Sequence, residues 1–118
     1  MFDADDIRDW RGHDVVDQNN AKIGTLEAVY YDTASQLAAF ASVQVGMIGR
    51  HRLTFVPLDG ARVSPRHVRV MVDKKVVKDA PSIDTDGELD ANDEPTLFQH
   101  YNLAYTPGTS GERRLGRR

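Results

Sequence analysis

The sequence predicts a mainly β domain: five or six short strands, then one or two short helices, then a loose tail. Three observations carry that prediction. From Asp14 to Val72 the apolar residues recur at a period of two, the spacing of half-buried strands. Between those runs stand turn formers such as Asn19-Asn20, Thr33–Gln36 and Ile48-Gly49. After Asp73 the alternation stops and a helix-like segment takes over. A length of 118 residues with 40% apolar content suits one domain with one core.

The first pair of strands is Asp14–Asp17 and Lys22–Asp32, joined at Asn19-Asn20, because asparagine tolerates the positive φ of tight hairpins. Apolar parity slips inside the second strand, from Ile23 to Leu26, Ala28 and Tyr30, and Gly24 at the slip predicts a bulge. In "LAAFASVQVGM" the residues Ala39, Ala41, Val43, Val45 and Met47 share one face, opposite Ser42 and Gln44. In "RHRLTFVPL", Leu53 and Phe55 oppose Arg52 and Thr54, and Pro57 ends the strand or puts it at an edge. "HVRVMV" sets Val68, Val70 and Val72 against His67, Arg69 and Met71.

Beyond it, "DKKVVKDAP" is at most a helical turn halted by Pro81. "ANDEPTLFQHYNL" has the marks of a helix: Asp93 and Glu94 at its start, Pro95 in the first turn, and Leu97 four residues before Tyr101. The residues after Pro107 are too poor in apolar groups to order themselves.

The chemistry is sparse. With no cysteine there is no disulfide, thiol nucleophile or thiolate metal site. The acidic start "MFDADDIRDW" lacks the basic and apolar regions of a secretory signal, and no apolar run could span a membrane, so a cytoplasmic location is expected. His13, His51, His67 and His100 are scattered without zinc-ligand spacing. No serine stands in a nucleophile elbow, and Gly46-x-x-Gly49 lacks the lysine and helix of a phosphate loop. Asp17 and Asp32, at the hairpin corners, read as turn residues that bond nearby backbone amides.

Two constellations have more to offer. In "SIDTDGELDANDE", Asp84 and Asp86 fall at positions three and five of a calcium loop, Gly87 at six, Asp90 at nine and Asp93 at twelve, with Glu88 between. Ser82 stands where the first aspartate belongs, Asp93 is shorter than the usual bidentate glutamate, and Pro81 breaks the entering helix. An acidic approach to a helix N-terminus is therefore the expectation, and no metal or other cofactor is assigned. The second constellation is basic. Within a net charge of −3, residues 50–69 hold five arginines against Asp59, and the tail from Thr106 holds four against Glu112. Arg50, Arg52 and Arg69 face outward on their strands, and would form a basic stripe if those strands were neighbours.

Four segments in order, "DVVDQNNAKIGTLEAVYYD", "FVPLDGA", "HVRVMVDKKVVKDAPSID" and "DEPTLFQHYNL", resemble the PRC-barrel domains in their stand-alone bacterial form. That family is named for the cytoplasmic part of the photosynthetic reaction centre H subunit and is shared with a bacterial ribosome-maturation factor. Asn19-Asn20 replaces its usual Asp-Gly tip and Ala34-Ser35 a frequent Thr-Gly turn. The resemblance implies a small antiparallel β-barrel of about six strands with one or two short C-terminal helices, over residues 7–105. Residues 1–6 would then be a flexible N-terminus and 106–118 a disordered basic tail. It also implies docking on other macromolecules and no shared catalytic residue.

The expected function is thus a non-enzymatic interaction or adaptor module whose partner is another protein, or a second copy of the chain, steered by Arg50, Arg52 and Arg69. One alternative is an accessory protein on RNA or the ribosome, using the stripe and tail. The other is a barrel that binds a small ligand or, weakly, calcium.

Overall fold

A computed structural model describes residues 11–46, 51–64, 67–85, 87–103 and 115–117. The strands are β1 (Asp14–Val16), β2 (Lys22–Asp32), β3 (Ala38–Val45), β4 (Arg52–Pro57), β5 (Arg62–Val63), β6 (His67–Arg69), β7 (Ser82–Asp84) and β8 (Leu115–Arg117). Two helices, α1 (Lys74–Lys78) and α2 (Glu94–His100), complete the elements with a 3₁₀ turn at Ala91–Asp93. The mainly β expectation holds. Among the described residues the sheet does not close: it runs β5-β6-β1-β2-β3-β4-β7, with β8 added beside β2. Its pairs are antiparallel except β1 with β6, which is parallel. The additional strands are β5, β7 and β8, each too short for alternation to reveal it.

The central hairpin forms as its turn chemistry predicts. Asn20 takes φ 67° at the tip, and Gln36 takes φ 63° at the next turn. The parity slip in β2 is real: Val15 faces Gly24 but Val16 faces Lys22, so Ile23 is the extra residue of a bulge. A Cβ on Gly24 would run into the Gln44 carbonyl oxygen and the Val43 side chain, so only glycine lets β3 approach there. Two further register shifts fall at Glu27 in β2 and at Ala39 in β3. The one at Ala39 moves that residue off the face of Ala41 and Val43, where strict alternation would leave it.

These shifts let the central strands bury both faces. On one face an aliphatic core gathers Val15, Leu26, Val29, Ala41, Val43, Val56, Val68 and Val70, closed at one end by Val77 of α1. On the other, Tyr30, Phe40 and Phe55 pack with Leu89, Leu97 and Leu115. β4 is therefore buried from Leu53 to Pro57 rather than half-exposed.

The second core draws on the chain beyond residue 87. Pro95 in the first turn and Asn102 at φ 59° bracket α2, with Leu103 N–H bonded to the Phe98 carbonyl in a Schellman-type ending. Tyr101 donates its hydroxyl proton to the Phe55 carbonyl at 2.6 Å. The expected disordered tail needs a correction at its far end. Leu115 is 1% exposed in the aromatic core, its N–H donates to the buried Glu94 carboxylate at 2.9 Å, and Arg117 pairs with Glu27. A single leucine with a specific buried acceptor orders a segment whose average composition gives no sign of it. Residues 1–6 and 106–114 lie outside the described residues.

Candidate functional site

Asp17 organises one end of the aliphatic face. It is 2% exposed, and its Oδ1 accepts the N–H groups of Asn19 (2.8 Å) and Ala21 (2.9 Å) across the hairpin tip. The turn role read from the sequence is thus correct but incomplete, because Oδ2 accepts Lys74 N–H at 2.9 Å. One carboxylate ties the hairpin to the start of α1. Burial pushes its pKa up; the three backbone donors and the nearby Lys74 ammonium outweigh that, and the carboxyl sits below its ordinary value. At the other corner Asp32 accepts from Ala34 and Ser35 N–H, as expected.

Asp73 caps α1 by accepting Lys75 N–H at 2.9 Å, and Val77 anchors the helix in the core. His100 of α2 donates Nε2–H to the Val76 carbonyl at 2.7 Å, fixing α1 from its outer side. Held this way, α1 turns Lys74, Lys75 and Lys78 outward. Lys75 and Lys78 are three residues apart, so they neighbour each other on one side of the turn.

Between α1, the hairpin tip and the start of β4 lies a groove of about 870 Å³. Its floor is Ile23, Val45, Thr54, Val77 and Ala80, and its rim carries Arg52 and the three lysines. Thr54 is 4% exposed, and its Oγ1 is buried with no hydrogen-bond partner among the described residues. Arg52 donates to Ser82 Oγ (3.0 Å), the Ser82 carbonyl (3.3 Å) and Asp84 Oδ1 (3.1 Å) across the β4–β7 pair. About half its side chain stays exposed, so that ion pair contributes at most about 1 kcal/mol.

The structure separates the residues of the basic stripe. Arg52 is on β4 and Arg69 on β6, with β1, β2 and β3 between them in the sheet. The neighbour of Arg69 across β5–β6 is Arg62. Arg50 lies outside the described residues. The stripe depended on strand adjacency, which the parallel β1–β6 pairing does not provide. Sequence reasoning missed the lysines of α1, although "DKKVVKD" shows both the Asp73 cap and the Lys75/Lys78 spacing.

The calcium-loop residues are also dispersed. Ser82–Asp84 is a strand, Asp84 is engaged by Arg52, and Asp90 accepts Asn92 N–H at the 3₁₀ turn. Glu88 and Asp93 are exposed, and Asp86 lies outside the described residues. Among the described residues no three His, Asp or Glu side chains gather as a cation site would require. His51 accepts a hydrogen bond from Gln44, and His67 is bonded to Ser64.

Fold and site together define a small mainly β domain that offers a charged-rim groove. The chain belongs to the PRC-barrel family: the model of the PRC-barrel domain matches residues 2–77. The match ends at Val77, the residue with which α1 closes the aliphatic core. That family is one of non-catalytic modules. A search of curated proteins finds no match. No helix among the described residues is long and apolar enough to cross a membrane.

Proposed function

We propose that this domain is a non-enzymatic interaction module, an adaptor that works in the cytoplasm by holding another protein against the groove beside α1. One observation carries the reading: Arg52 and three lysines against two carboxylates, Asp17 and Asp73, leave the groove an excess of two positive charges on a chain whose net charge is −3. Concentrated charge of one sign on a body of the other steers encounter, and an apolar floor then slows release. The stripe proposed from sequence reduces to Arg52, which joins the lysines at the rim.

The nucleic-acid reading loses support, because Arg117 of the basic tail is paired with Glu27. The test is in-cell cross-linking of the full chain, with partners identified for wild type and for Lys75→Glu with Lys78→Glu. A partner lost in the variant, whose melting curve is unchanged, supports the module. An unchanged set of partners removes the groove from the function.

A further inference from the structure

We infer that the occupant of this groove is an acidic peptide segment with one aliphatic anchor residue, a step that rests on the interaction-module reading above. The charges of the groove make the case first. Of its own carboxylates, Asp17 accepts three backbone N–H groups of the hairpin tip and α1, and Asp73 accepts one, that of Lys75. Arg52 is shared with Ser82 and Asp84, and Lys74 sits in the field of Asp17. Lys75 and Lys78, both exposed, have no ionic partner among the described residues. The rim therefore presents two unneutralised ammonium groups, side by side on one turn, to whatever enters.

The floor fixes the second half of the specification. Ile23, Val45, Val77 and Ala80 are aliphatic, and a volume of about 870 Å³ is that of a ligand pocket, about 300–1,000 Å³, not of an extended interface. It has room for an aliphatic side chain together with several flanking residues. No aromatic residue lines it among the described residues, so it lacks the stacking platform on which single-stranded nucleic acid depends. A fatty acyl chain would satisfy the floor but bring a single carboxylate to two ammonium groups. A peptide that carries several acidic side chains around an aliphatic one matches floor and rim together.

The test is fluorescence anisotropy of a short labelled peptide, one leucine between glutamates, titrated with the full-length protein. Three probes accompany it: the same peptide with serine for leucine, a single-stranded oligonucleotide of equal charge, and dodecanoate. Saturable binding of the acidic leucine peptide is expected, at least tenfold tighter than its serine version. Lys75→Glu with Lys78→Glu should weaken it at least tenfold with the melting curve unmoved. Lys75→Gln with Lys78→Gln serves the same purpose should the reversal disturb folding.

Equal binding of the serine peptide, undiminished binding by both lysine variants, or tighter binding of oligonucleotide or dodecanoate would each overturn the inference. The two levels separate cleanly. Lysine-dependent cross-linking to a protein, without peptide binding, removes the peptide occupant and leaves the module standing. Loss of both removes the module.

Discussion

The two faces of β2, β3 and β4 are closed in different ways. The aliphatic face is covered by residues of the family match, from Val15 to Val77, and its side chains are mostly valine and alanine. The aromatic face, Tyr30, Phe40 and Phe55, is covered by Leu89, Leu97 and Leu115, all beyond that match. Their polar atoms differ too. On the aromatic side Tyr30 Oη accepts Leu89 N–H at 3.1 Å, Tyr101 donates to Phe55, and Glu94 accepts from Leu115. On the aliphatic side Thr54 Oγ1 is buried without a partner among the described residues. The C-terminal segment thus serves as a built-in cover for the aromatic face, while the aliphatic face has the groove at one end.

The sharpest way to break that contrast is to remove the cover. Deletion of residues 88–118 strips three buried leucines, each worth about 1.5–3 kcal/mol, and exposes the aromatic cluster. The sum rivals the whole stability of an ordinary domain, about 5–15 kcal/mol, so the truncated chain should lose cooperative unfolding or associate. Size-exclusion chromatography and thermal melts decide it. A monomeric, cooperative truncation would make the C-terminal segment dispensable and the two faces independent.

A narrower cut tests the last strand alone. Leu115→Ala should cost about 2–5 kcal/mol by denaturant unfolding, in the range of a core leucine anywhere. A cost under about 0.5 kcal/mol, typical of a surface site, would show that β8 does not dock in solution.

Next comes the pin between the hairpin and α1. Asp17→Asn should destabilise by about 1.5–3 kcal/mol, since a charged acceptor of three backbone donors becomes neutral. The pH dependence has a definite sign. The folded carboxyl lies below its ordinary 3.8, so its contribution is complete above that value and fades as pH falls through the lower folded one. Denaturant midpoints measured from pH 5 downward should fall for the wild type, and the fall should be shallower in Asp17→Asn. Parallel curves would mean the carboxylate is no more stabilised folded than unfolded.

How much of this was legible depends on the range of the interaction. Period-two alternation and turn residues placed β1 to β4, β6 and the Gly24 bulge, because those signals sit within a few residues of what they specify. The helix at Glu94 was legible from Pro95 and the Leu97/Tyr101 spacing for the same reason. β7 and β8 were not, since three residues carry no period, and each is ordered by a distant partner: Arg52 for Asp84, Glu94 for Leu115. The groove failed to show for the same cause. Asp17 and Lys74 are joined through a hydrogen bond across 57 positions, which no local pattern announces. The arginine stripe assumed an adjacency of β4 and β6 that alternation within a strand cannot supply.

The smallest effect is the most telling about why the faces differ. Thr54 shares its parity on β4 with Val56, so its side chain belongs to the aliphatic face, where it is the polar interruption. Its Oγ1 and Arg69 Nε are the buried side-chain atoms without partners among the described residues. Burying a hydroxyl without a bond costs roughly 1–3 kcal/mol, partly regained by the packing of its methyl group. Valine has nearly the same shape, no orphaned oxygen and a higher strand preference. Thr54→Val should therefore be neutral or stabilising by about 1 kcal/mol, measured by urea unfolding. If the protein gains stability, the orphaned hydroxyl is a cost that the aliphatic face carries and the fully paired aromatic face does not. A clear loss of stability would instead mean that Oγ1 already has a partner, such as a buried water, and that both faces of the sheet are equally finished without any ligand.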